Sequence, residues 1–108
     1  MNDVLKFIDA AAHVTGLDPE HIRNPTRKLR MDLPSAQYYL HCRLRWLACI
    51  YAEENGMTKG EIIRANNFNG NVPYYAWGAL PAIKADKSLC RILRDIMGHL
   101  AAMDGRTA

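Results

Sequence analysis

Six basic side chains, Arg23, Arg27, Lys28, Arg30, Arg43 and Arg45, fall between His21 and Arg45 against a single acid, Asp32. That window carries +5, and the remainder, with eight basic and ten acidic residues, carries −2, which together make the formal net charge of +3. Cations gathered in this way can replace the counterions around phosphate groups. A second set lies in "FNGNVPYYAW", Phe68 to Trp77. Asn69, Asn71, Tyr74 and Tyr75 supply amides and hydroxyls that can hydrogen-bond base edges, and Val72 or a tyrosine ring can touch a thymine methyl. Tyr and Trp are also the residues that anchor protein interfaces, so Tyr74, Tyr75 and Trp77 equally suit a docking patch.

Other chemistries find few residues. His13, His21, His41 and His99 show neither HExxH nor HxxxH spacing, so a metal site is not expected, and each reads as a surface or helix-packing residue. No GxxxxGK[ST], GxGxxG or GxSxG occurs, and no pair of acids stands apart from helix caps and surface charge. The sequence therefore predicts no catalytic residues and no cofactor. Cys42, Cys49 and Cys90 are odd in number and form no CxxC, which points to structural thiols, with Cys42 and Cys49 seven apart on one helical face. No apolar run reaches the roughly 18 residues of a membrane span, and Asp3 and Asp9 stand where a signal peptide is basic, so a cytoplasmic protein is expected.

The elements that must position these residues read as helices punctuated by caps. The 108 residues, 49% apolar and 23% charged, suit one domain, 1–108. Val4, Leu5, Ile8, Ala11 and Ala12 recur at helical spacing, capped by Asn2 or Asp3 and ended by Gly16, which predicts a helix over about 3–15. Asp18 and Pro19 open a short helical turn to about Arg23. "RNPTRKLRMDLP", with two prolines and little periodicity, reads as an exposed basic loop over 23–33. From Pro34 to Glu54, Ala36, Leu40, Leu44, Leu47 and Tyr51 line one stripe, and Tyr39, Trp46 and Ile50 a second. This is the longest helix, apolar on two flanks and hence central.

Thr58 and Glu61 in "MTKGEIIRANN" are spaced as a capping box. The short helix they open meets "NNFNG", whose Asn and Gly tolerate the left-handed backbone of a tight turn. Asn71 is the expected cap of the next helix, and Pro81 is expected to kink or end it. Two helices joined by a short Gly-containing turn, about 58–84, form the pattern of a helix-turn-helix whose second helix carries the recognition surface. Trp77 is expected in the core, with at least one of Tyr74 and Tyr75 facing outward. A last helix over about Lys87–Met103, capped by Asp86, is expected to bury Leu89, Ile92, Leu93, Ile96 and Leu100.

The order "GLDPEHIRNPTRK", "AQYYLHCRL", "MTKGEIIRANNFNG" resembles the carboxy-terminal DNA-binding domain, domain IV, of the bacterial replication initiator DnaA, whose fold is related to that of the Trp repressor. The resemblance spans roughly residues 4 to 100. It implies an all-α domain with a long central helix and a helix-turn-helix, binding double-stranded DNA as a transcriptional regulator or replication-control factor in the nucleoid. Arg27 and Lys28 match the family's basic loop, Tyr39 and Leu40 its long-helix packing motif, Thr58, Glu61 and Ile62 its first helix-turn-helix helix, and Phe68 and Gly70 its turn. Asn71, Val72, Pro73, Tyr74, Tyr75 and Ala76 stand where the family has "RDHTTV", so its base-reading signature is absent.

Residues and resemblance together set the expected contacts. Arg27, Lys28 and Arg30 hold phosphates, supported by Arg23 and Lys59, while Asn69, Asn71, Tyr74 and Tyr75 face the major groove. The alternative is a domain of the same fold that has lost base reading and binds a replication or transcription protein through Tyr74, Tyr75 and Trp77. Arg27, Lys28, Arg30 and Lys59 on one face beside the helix-turn-helix favour DNA, and acidic Glu53, Glu54 and Glu61 interrupting them favour that alternative.

Overall fold

Caps dictate where the helices begin. In the computed structural model, which describes residues 2–107 and side chains as far as Asp104, α1 (Asp3–Thr15) starts where the Asn2 side chain accepts from the Leu5 amide and stops at Gly16, whose φ of 75° is left-handed. Met1 and Ala108, the ends of the expected 1–108 domain, lie outside the described residues. Asp18 caps α2 (Pro19–Arg23), with Pro19 in its first turn. Thr58 caps α5 (Lys59–Asn66) through the full capping box: the Glu61 amide donates to the Thr58 hydroxyl, and the Thr58 amide donates to the Glu61 carboxylate, each at 3.1 Å. Those bonds hold the Glu61 carboxyl below its usual range. Asp86 caps α7 (Lys87–Thr107) by accepting from Leu89.

Four local expectations change. The segment 23–33 is not wholly a loop, because α3 (Arg27–Asp32) forms within it, capped by the Thr26 hydroxyl and pinned by the buried Leu29. Its short amphipathic stretch was too brief for periodicity to register. Asn71 occupies the N-cap of α6 (Val72–Ala85) but its side chain caps nothing; the Asn69 carbonyl oxygen of the side chain instead accepts from the Asn71 amide, a local turn bond. Helix α6 also runs through Pro81 to Ala85. Pro81 and Trp77, one turn apart, are both exposed, so the missing amide bond falls on the solvent side while buried Ile83 holds the following turn against the core. Helix α7 continues four residues beyond Met103.

Helix α4 (Ser35–Glu54), at 20 residues, is not the longest as expected, since α7 runs on to 21, but it is central: α1, α2, α3, α5 and α6 all pack on it, and α7 closes the bundle against α1 and α6. Leu44, Leu47, Ala48, Cys49, Ile50 and Ala52 are buried around most of its circumference, as a helix apolar on two flanks requires. The stripe fades at its start, where Ala36 and Tyr39 are exposed. Leu89, Ile96 and Leu100 of α7 are buried, whereas Ile92 and Leu93 are only half-buried against the core edge. Short helices are held by anchors rather than by propensity. Ile22 of α2 and Ile62 of α5 are fully buried, each contributing about 1.5–3 kcal/mol. Among the described residues the fold is all-helical, with seven helices and no strand, and no helix is long and apolar enough to cross a membrane.

Asn67 ends α5 in the left-handed region, φ 54° and ψ 44°, the only described non-glycine residue with positive φ. Replacing Asn67 by Gly is expected to leave thermal stability unchanged or raise it. Asn67→Val should lower stability by about 1–2 kcal/mol, since Cβ branching opposes that conformation. Equal melting temperatures for the two variants would show that the turn does not need the left-handed residue.

Candidate nucleic-acid interface

The six cations of the basic window divide into two groups once folded. Two, Arg23 and Arg43, are ion-paired within the protein, and a third, Arg45, is half-buried with no ion pair among the described residues. Arg23 pairs with Glu20 at 3.0 Å and donates to the Asn66 main-chain carbonyl at 3.2 Å, and this pairing lowers the Glu20 carboxyl and raises the Arg23 guanidinium from their ordinary values. Arg43 reaches Asp86 at 3.5 Å. Arg45 rises from the buried side of α4, its guanidinium carbon 5.7 Å from the centre of the Phe68 ring. The other three, Arg27, Lys28 and Arg30, all project from α3, are exposed, and make no ion pair among the described residues. Arg27 and Arg30 line an open concavity of about 700 Å³ with Met31 and Tyr38, and Arg30 lies 5.9 Å from the centre of the Tyr38 ring.

The chain that leads into this helix is tied to α5 just ahead of the turn into α6. The bond from Arg23 to Asn66 ties the end of α2, four residues before α3, to the last residue of α5. Asn66 is itself only 4% exposed; its amide donates to the Ile62 carbonyl at 2.9 Å, and its side-chain oxygen accepts from Asn2 at 3.2 Å. Phe68 of the turn and Val72, the first residue of α6, are buried, which leaves Asn69, Gly70 and Asn71 outside. On α6, Pro73 and Ala76 are buried, and the opposite face presents Tyr74 and Tyr75, 62% and 61% exposed. Asn69, Asn71, Tyr74 and Tyr75 thus share the accessible side of the turn and the first turns of α6, next to a segment that leads into free cations.

Lys59 differs from expectation. Its ammonium is bridged to Glu53 at 2.6 Å and lies 5.5 Å and 6.0 Å from the centres of the Tyr74 and Trp77 rings. The Trp77 indole N–H donates to the other carboxylate oxygen of Glu53. Trp77 is therefore not a core residue: at 39% exposure it lies over a Glu53–Lys59 pair, where its N–H donor finds the Glu53 carboxylate as acceptor. Acids have thus entered the expected cation set at two places, Glu53 on Lys59 and Glu20 on Arg23.

Arg45 was counted for its charge and missed as an individual. Its Nε is sealed from solvent and has no hydrogen-bond partner, and burial pushes the guanidinium below its ordinary value, partly offset by Cys42, Cys49 and Tyr38. The available signal was an arginine between Cys42 and Cys49, on a face that the apolar spacing buries. His41 is a packed histidine, its Nδ1 hydrogen-bonded to the Gln37 carbonyl at 2.7 Å, and His13 stacks on His99 with centres 4.4 Å apart. No group of three or more metal-ligating side chains occurs among the described residues. Comparison with known protein families, with curated proteins and with solved structures finds no match.

The thiols separate by burial. Cys42 and Cys49 are buried, and desolvation pushes Cys49 up to about 12, while Cys90 is half-exposed and donates weakly to the Lys84 carbonyl at 3.5 Å. An aromatic disulfide reagent at neutral pH should modify only Cys90 quickly in the native protein and all three thiols once it is unfolded. Fast modification of Cys49 in the native state would show that α4 is not packed as described.

Proposed function

We propose that this protein binds double-stranded DNA, with α3 on the phosphates and the turn and first turns of α6 in the major groove. The observation that carries the reading is the set of three unpaired cations, Arg27, Lys28 and Arg30, on a short exposed helix that follows the end of α2, which Arg23 ties to Asn66 at the end of α5. Positively charged side chains that have no acid partner in the protein keep their full capacity to displace phosphate counterions. The five-residue connection from α5 to α6, with buried Phe68 and Val72 fixing the second helix, supports a helix-turn-helix of the kind found in the DnaA carboxy-terminal domain, as does the resemblance over "GLDPEHIRNPTRK" and "MTKGEIIRANNFNG". Base contacts would come from Asn69, Asn71 and the hydroxyls of Tyr74 and Tyr75, uncharged groups suited to modest sequence preference. A stand-alone regulator of transcription or replication fits this chemistry.

A second reading has its own observation. The outer face of α6 exposes Tyr74, Tyr75 and Trp77, and Lys59, the cation beside them, is already bridged to Glu53. A protein partner of the replication or transcription machinery, docked on aromatic rings, suits that face.

Binding of duplex DNA at two salt concentrations, followed by sequencing of the retained pool, separates the two. Salt-sensitive retention supports the first reading; no retention at either salt leaves the second. Replacing Arg27, Lys28 and Arg30 together by Ala should weaken binding to all sequences and reduce the salt slope by about 2 to 3. An unchanged slope would remove α3 from the phosphate contacts. Glu53→Gln should release Lys59 from its anion and tighten duplex binding by about two- to fivefold. If it binds no better and Lys59→Ala loses nothing, the amino-terminal end of α5 lies away from the duplex.

A further inference from the structure

Arg45 is a charge without a partner in a place where charges need one. No carboxylate pairs with it among the described residues, and its Nε has no acceptor. Around it lie Phe68, whose ring faces the guanidinium at 5.7 Å, and Tyr38, Cys42 and Cys49, its uncharged electrostatic neighbours. Taking a guanidinium partly out of water with no hydrogen-bonded anion is unfavourable, and folding alone gives no reason to keep one there. A Met or Leu at the same place would pack against Phe68 without that cost.

The surroundings indicate which anion is missing. Phe68 belongs to the turn between α5 and α6, so the guanidinium is fixed against the element that the proposed interface presents. On its other side Tyr38 is within electrostatic reach of both Arg45 and Arg30, and Tyr38 and Arg30 together line the concavity beside α3. The ring of Phe68 restricts the guanidinium plane while leaving its terminal nitrogens to make contacts, the arrangement in which arginine takes two oxygens of a phosphate at once.

We propose that Arg45, with Tyr38 and Arg30, forms a recessed phosphate site between α4 and the α5–α6 turn, which takes a phosphodiester of the duplex backbone. The proposal rests on the DNA-binding reading for the source of the phosphate, not for the site. Exposed cations of α3 attract the backbone from a distance; Arg45, held on a rigid helix and facing the turn, sets the depth and register at which the duplex seats. The terminal nitrogens of the guanidinium, which take no hydrogen-bond acceptor among the described residues of the folded protein, thereby gain one on binding rather than on folding.

The test uses Arg45→Met, which keeps the apolar stem and a thioether against Phe68, and Arg45→Lys, which keeps the charge and loses the fork. Arg45→Met should melt at or above the wild-type temperature, bind mixed-sequence duplex about tenfold more weakly, and reduce the salt slope by about 1. Arg45→Lys should recover the slope and only part of the affinity. In the wild type, the side-chain Nε–H resonance of Arg45 should shift when duplex is added and, separately, when inorganic phosphate is added. If wild type binds duplex and Arg45→Met binds within twofold of it, the site is refuted while the DNA reading stands. A fall in melting temperature that accompanies the loss of affinity would make Arg45 structural and also overturn the proposal. If wild type retains no duplex yet phosphate shifts the Arg45 resonance, the DNA reading fails and the site stands, with free phosphate as its source. No shift with either ligand refutes the site outright.

Discussion

Asn66 is a buried amide at the end of an eight-residue helix, and three segments meet on it. Its side chain accepts from Asn2 ahead of α1 and donates to Ile62 within α5, while its main-chain carbonyl takes the Arg23 guanidinium at the end of α2. A polar group in that position is stable only when its hydrogen bonds are met, so the three segments must converge in one arrangement. The residue that follows, Asn67, turns the chain through the left-handed region and starts the path into α6. The placing of the end of α2 against α5, and of the turn into α6, depends on this junction. Apolar burial of Ile22 and Ile62 supplies the energy, and the amide supplies the geometry.

Charge is distributed around that junction with an evident division. Arg23 and Arg43 are neutralised by Glu20 and Asp86 and hold helices together. Lys59 is neutralised by Glu53 under two aromatic rings and stiffens the contact of α5 with α6. Of the six cations between His21 and Arg45, those that remain without an ion pair are the three of α3, together with the half-buried Arg45 behind the turn. A net charge of +3 therefore understates the local field, because the 21–45 window carries +5 and the rest of the chain −2.

Two features run against stability. Pro81 interrupts the hydrogen-bond ladder of α6, and Arg45 leaves a donor unsatisfied beside the core. Both lie on or against the helices that carry the candidate interface. Local departures of this kind concentrate where a surface is arranged for a partner rather than for folding. The exposure of Tyr74 and Tyr75 belongs with them, since large apolar rings left in water gain nothing for the isolated chain.

Much of the helical layout was legible along the chain. Asn2, Asp18, Thr58 with Glu61, and Asp86 cap helices where their spacing predicts, because a cap bonds amides two or three residues away and its instructions are all local. The centrality of α4 was likewise written in its apolar residues on two flanks. The missed elements were those whose local signal is weak or overruled: the six-residue α3, secured by one buried leucine, and the passage of α6 through Pro81, secured by Ile83 beyond it. Charge pairing lay outside local reach altogether. Glu53 meets Trp77 across 24 residues, Arg23 meets Asn66 across 43, and Arg45 meets Phe68 only because α4 and the turn pack together. The sequence by itself determined which residues could be cations, caps and core, since these follow from side-chain chemistry and short-range spacing. Only the tertiary structure decided which cations remain free, because pairing depends on distances between segments that chain order does not set.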